Sequence, residues 1–141
     1  MMSKTLQLSN NRIAHYFEQG EGEPLVLIHG VGMQAAAWYP QIEYFSKHYH
    51  VISVDMPGHG QSTKLPADAK LQDFVEWTIE FITALNLGPV NLAGHSMGSL
   101  ITTGVSVTRP DLVKRMAVLN GVYKRTTQAR NAVIQRAEEL K

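Results

Sequence analysis

Ser96 stands at the centre of Gly94-His95-Ser96-Met97-Gly98, a Gly-x-Ser-x-Gly pattern. A serine hydroxyl becomes a useful nucleophile when a tight turn lifts it clear of its surroundings. Small residues two before and two after let neighbouring backbone pass without collision. Residues 90–93 read as a strand and 100–108 as a helix ending before Pro110, so the pattern falls on a strand–turn–helix junction. There the free N–H groups and partial positive charge of the helix start face any oxyanion developing at the serine. The plainer reading is a serine that caps a helix after a glycine turn.

Two further segments could serve such chemistry. His29-Gly30-Val31-Gly32 follows the apolar run 25–28, and Asp55-Met56-Pro57-Gly58-His59-Gly60-Gln61-Ser62 follows the run 51–54. The first also supports a rival. Gly30-Val31-Gly32-Met33-Gln34-Ala35 fits the G-x-G-x-x-A fingerprint of dinucleotide binding, with Asp55 about where the ribose-binding acid belongs. Against it, a hairpin precedes the strand, and the pattern around Ser96 is left unexplained. The histidines at 15, 48, 50, 59 and 95 show no metal-ligand spacing on a helix. His48 and His50 read as surface residues, and His95 as a neighbour of the site.

The elements that must position these residues alternate. Residues 6–19 read as a hairpin turning at Ser9-Asn10-Asn11, and 25–28 as a strand buried on both faces. Residues 35–47 read as a helix with Pro40 in its first turn, and 51–54 as a strand. A helix over 71–87 carries Leu71, Phe74, Val75, Ile82 and Leu85 on one face, and Gly88-Pro89 stops it. Residues 116–119 read as another buried strand and 127–140 as a last helix. This order predicts an α/β fold: a mostly parallel sheet with helices on both faces.

The 141 residues are 44% hydrophobic, enough for a core, and carry a net charge of +1. That balance gives no electrostatic case for nucleic acid or a membrane surface. With no cysteine, disulfides, a thiol nucleophile and Cys-ligated zinc are excluded. The N-terminus lacks a signal-peptide apolar stretch, and no run approaches the ~18 apolar residues of a spanning helix. A cytoplasmic protein is the expectation.

The three motifs, in this order, resemble the α/β-hydrolase superfamily, from the first hairpin to at least Asn120. The resemblance implies a serine hydrolase in which Ser96 is the nucleophile, and the backbone N–H groups of Val31 and Met97 form the oxyanion hole. Such donors are worth about 3 kcal/mol each in the transition state. Gly30 and Gly32 would let the loop bring Val31 close, His29 would order it by hydrogen bonding, and the 55–62 segment would shape it. The implied substrate is a small carboxylic ester, lactone or related carbonyl compound, cleaved through an acyl-enzyme, with no cofactor or metal. Vinylogous diketones and enol-lactones fall within this range.

In that superfamily an acid and then a histidine follow the serine. Here no histidine follows Ser96, and the only later acids are Asp111, Glu138 and Glu139; Asn120 stands where some relatives carry the acid. The expectation is therefore an N-terminal part of the core over 1–121, lacking the C-terminal strands and helices, and the start of a lid over 122–141. Such a chain alone would be inactive. Lys124, Arg125, Arg130 and Arg136 at the start of that lid read as a solvated helix face, with an anionic substrate as the alternative. The last strand would be a hydrophobic edge along which a second copy could pair as a homo-oligomer. A non-catalytic relative is the remaining reading.

Overall fold

A computed structural model describes residues 1–119. Six strands form one sheet: β1 (Met2–Gln7), β2 (Ile13–Gln19), β3 (Glu23–Ile28), β4 (Tyr49–Val54), β5 (Val90–His95) and β6 (Val113–Leu119). Their spatial order is β1-β2-β4-β3-β5-β6. β1 and β2 form the antiparallel hairpin, β2 runs antiparallel to β4, and β3, β4, β5 and β6 are parallel to one another. The helices are α1 (Tyr39–Phe45), α2 (Leu71–Leu85) and α3 (Met97–Thr108).

The continuous apolar strands bury both faces. Val26, Ile28, Ile52, Val54 and Leu92 face α2 and α3, packing with Val75, Phe81, Ile82, Ile101 and Val105. Leu27, Val51 and Ala93, one residue out of step, face the other way onto Trp38 and Ile42. After β3 the chain runs through α1 to β4. After β4 it crosses back through α2 to β5, on the opposite side of β3. The connections leaving β3 and β5 thus diverge to opposite faces and open a crevice at the carboxyl ends of these strands, the usual ligand position in such sheets. The Gly30 loop and Ser96 both lie there.

Several elements differ from expectation. The 35–47 helix is a 3₁₀ turn over Ala35–Trp38 followed by α1, with Pro40 in the first turn as expected. On α2, Leu71 is 43% exposed, while Trp77, Thr78, Ile79 and Phe81 are buried. The helix packs on the hairpin as well as the sheet, Tyr16 meeting Phe81 edge-on at 5.5 Å, so its buried stripe is wider than one face. β6 starts at Val113, and Met116, Val118 and Leu119 are about half exposed, where a buried strand was expected. Among the described residues, β6 is the sheet edge and nothing lies beyond it. His50 is half-buried and bonded to Glu18 at 2.9 Å, so it is not a free surface residue. The expected lid over 122–141, its helix and basic residues, and Asn120, Glu138 and Glu139 lie outside the described residues.

Candidate active site

Ser96 joins β5 to α3 with φ 57° and ψ −117°. Few non-glycine residues adopt such a conformation, which costs on the order of 1–3 kcal/mol and persists only where surrounding structure enforces it. Three contacts do so. The Ser96 N–H donates to the Leu119 carbonyl at 2.9 Å, tying the turn to β6. The Ser99 N–H and hydroxyl both donate back to the Ser96 carbonyl. The flanking glycines allow two backbone crossings: a Cβ on Gly94 would lie 2.1 Å from the Gly98 carbonyl oxygen, and one on Gly98 would lie 2.3 Å from that of Ile28. Both glycines are therefore required by close approach. Ser96 is half-exposed and heads α3, whose first amides have no partner within the helix.

The loop after β3 abuts this turn. A Cβ on Gly30 would lie 3.2 Å from the Ser96 Cβ and 3.3 Å from the His95 carbonyl oxygen. Gly32 takes φ 77°, in the left-handed region, and so turns the chain just after Val31. His29 is buried, and both its ring nitrogens hold backbone. Nδ1–H donates to the Gly30 carbonyl at 2.8 Å, and Nε2 accepts the Met56 N–H at 2.9 Å. Burial depresses its pKa from an ordinary 6.5 to about 4, against the opposing effect of the Gly30 bond. His29 is thus a neutral brace between the two loops.

Asp55 organises the second loop. Its carboxylate is buried and accepts from the Ala35 N–H at 2.7 Å and the Gln61 N–H at 3.0 Å. It also meets His15 Nδ1 at 2.7 Å. A Cβ on Gly60 would fall 2.2 Å from this carboxylate. With its oxygens so occupied and out of solvent, Asp55 is not presented to a ribose. The dinucleotide reading of Gly30, Gly32 and Asp55 loses its acid, and the antiparallel hairpin at the sheet edge adds to the disagreement.

A cavity of about 180 Å³ lies against His29, Gly30 and His95, walled by Met33, Ala37, Trp38 and Gln41. The Trp38 and His95 rings meet at right angles, 6.4 Å apart. The sequence assigns none of these four wall residues to the serine site: Met33 stands there only within the dinucleotide fingerprint and Trp38 only as an apolar residue of the 35–47 helix. They come from the loop after β3, the 3₁₀ turn Ala35–Trp38 and the first turn of α1, and their convergence is set by the tertiary fold, which no local pattern encodes. The structure also forms a serine–imidazole contact away from Ser96 that the sequence does not reveal. Ser3 Oγ lies 2.7 Å from His15 Nε2, on the far side of the ring from Asp55. No group of three or more metal-ligating side chains converges among the described residues. None of the described helices is long and apolar enough to cross a membrane.

Known proteins match this arrangement. A family model described as alpha/beta hydrolase fold matches residues 23–138. Over all 141 residues the chain is 89% identical to an (E)-2-((N-methylformamido)methylene)succinate hydrolase of Acinetobacter baylyi, covering 54% of that protein. It is 35% identical over 108 residues to a 2-hydroxy-6-oxo-6-(2'-aminophenyl)hexa-2,4-dienoic acid hydrolase of Metapseudomonas resinovorans, covering 74% of this chain and 37% of the relative. Among solved structures, an E-2-(acetamidomethylene)succinate hydrolase superposes with a TM-score of 0.91 at 25% identity, covering 98% of this chain and 51% of that one. The chain thus spans about half the length of these relatives, or less. The sheet order, the strained serine between two glycines and the match over residues 23–138 lead to one conclusion: this chain belongs to the alpha/beta hydrolase fold family.

Proposed function

We propose that the protein is a serine hydrolase that cleaves an N-acylaminomethylene succinate, a dicarboxylate bearing an amide on a vinyl carbon, through an acyl-enzyme on Ser96. The reaction type rests on one observation above all: Ser96, held at φ 57°, sits against the Gly30 loop at the carboxyl end of the sheet. The substrate class rests on likeness to the two succinate-derivative hydrolases.

In this mechanism Ser96 Oγ attacks the amide carbonyl carbon and gives up its proton. The N–H groups of Val31 and Met97 hold the oxyanion that forms, each contributing about 3 kcal/mol. The C–N bond breaks, and the nitrogen leaves with a proton. Water then attacks the ester on Ser96, releasing the carboxylic acid and restoring the hydroxyl. Overall one water is consumed, its OH going to the acyl carbon and its hydrogen to the nitrogen.

The proton carrier in this reading is neither His29 nor His59, whose ring nitrogens all engage backbone groups. It is assigned to the portion of the relatives that this chain does not span, so residues 1–141 alone are expected to have no turnover. The test is hydrolysis of (E)-2-((N-methylformamido)methylene)succinate by the intact protein and by Ser96→Ala. A loss of about 10⁴-fold or more in kcat is expected. Turnover that survives the substitution would remove Ser96 from its role, and turnover by residues 1–141 alone would remove the missing-base assignment.

A further inference from the structure

We propose that His59 is a positioning residue for the oxyanion hole, holding Val31 in place by accepting a hydrogen bond from the peptide that follows it. The inference rests on the reading of Ser96 and Val31 given above and adds to it a specific role for one residue of the 55–62 segment. His59 Nε2 accepts the Gly32 N–H at 3.2 Å, while Nδ1–H donates to the Pro57 carbonyl at 3.0 Å. The second bond fixes the tautomer, because a ring protonated at Nδ1 leaves Nε2 as the acceptor. On the other side of Val31, the Gly30 carbonyl accepts from His29 Nδ1–H at 2.8 Å. The two imidazoles, 4.9 Å apart between ring centres, therefore grip the residues before and after Val31.

His59 is itself held in place by the segment around it. The His59 N–H donates to the Met56 carbonyl at 2.9 Å, and the Ser62 N–H to the His59 carbonyl at 3.2 Å. Gly58 and Gly60 on either side adopt φ 75° and 52°, and the Gln61 N–H is bonded to the buried Asp55 carboxylate at 3.0 Å. A continuous chain of contacts thus runs from Asp55 through the 56–62 turn to His59, then to Gly32 and Val31. Without the acceptor, Gly32, exposed and in a left-handed turn, has one constraint fewer. An oxyanion donor that wanders by a fraction of an ångström loses most of its value, since such donors act through preorganisation.

Two substitutions separate this role from simple packing. His59→Phe keeps a ring against His29 and removes the acceptor, whereas His59→Gln removes the ring and keeps a side-chain oxygen able to accept the Gly32 N–H. The readout is the second-order rate at which a fluorophosphonate labels Ser96 in the intact protein, with thermal unfolding measured in parallel. His59→Phe is expected to label on the order of tenfold to a hundredfold more slowly, and His59→Gln to recover most of that loss. A Phe variant that labels at the wild-type rate, or a Gln variant as slow as Phe, overturns the proposal. Wild-type protein that is not labelled at Ser96 defeats the nucleophile reading itself, and this inference with it.

Discussion

Replacing Gly98 by alanine introduces one methyl group where the structure has no room. Its Cβ would lie 2.3 Å from the Ile28 carbonyl oxygen and 2.8 Å from that of His29, whereas ordinary contact begins near 3.4 Å. Both obstacles are backbone, so no side chain can swing aside. The start of α3 must retreat from the end of β3 by about 1 Å, a small-to-large insertion that typically costs 1–3 kcal/mol. The same retreat separates Ser96 from the Gly30 loop, and misplacement of that size costs roughly 10²-fold in rate. Gly104→Ala is the matched control on the same helix. Its Cβ meets the Val75 Cγ2 at 2.6 Å, a side-chain atom of α2 far along the helix from the serine. Urea unfolding and turnover of the intact protein would be measured for both. Gly98→Ala should lose stability and rate together, and Gly104→Ala stability alone. Wild-type kinetics in Gly98→Ala, or equal loss of rate in Gly104→Ala, would refute the reasoning.

Other outcomes follow from the same geometry. Gly30→Ala places a Cβ 3.2 Å from that of Ser96, so kcat should fall at least tenfold while the unfolding midpoint moves little, as read from paired kinetics and thermal melts. Asp55→Ala leaves the Ala35 and Gln61 amides and the His15 ring without their buried acceptor, and urea unfolding should show a loss of about 3–5 kcal/mol. His29 stays neutral in the folded state down to about pH 4, whereas the unfolded chain protonates it near 6.5. The unfolded state therefore binds more protons between these values, and stability falls as pH drops from about 6.5 toward 4. The imidazole NMR shifts of His29 should not move between pH 7 and 5, and a midpoint near 6.5 would contradict the burial argument.

The parts of this structure legible in the sequence are those set by local pattern. The run 25–28 announced a strand covered on both faces, because Val26 and Ile28 face one helix layer and Leu27 the other. The turn at Ser96 was legible because close backbone crossings demand glycine at 94 and 98, and glycine is visible as a letter. Trp38 and His15 were not legible in this way. Trp38 reaches the site from the 3₁₀ turn that precedes α1, and His15 meets Asp55 across forty residues of chain. The face of α2 was only half read, since a helix packed on two partners buries Trp77 and Phe81 outside the single stripe that periodicity detects. For β6 the sequence supports both a buried strand and a hydrophobic edge, because an apolar strand pattern is the same whether or not a neighbour covers it, and among the described residues β6 is the edge.

The central claim is that the reactive hydroxyl belongs to Ser96, and the location of a covalent adduct tests it most directly. Intact protein treated with a fluorophosphonate, digested and read by mass spectrometry should carry one modification, on the peptide holding Gly94-His95-Ser96-Met97-Gly98, and none in Ser96→Ala. Ser3, a serine seated on an imidazole that meets a carboxylate, is the built-in competitor. A modification found on Ser3, or one that persists in Ser96→Ala, would contradict the account.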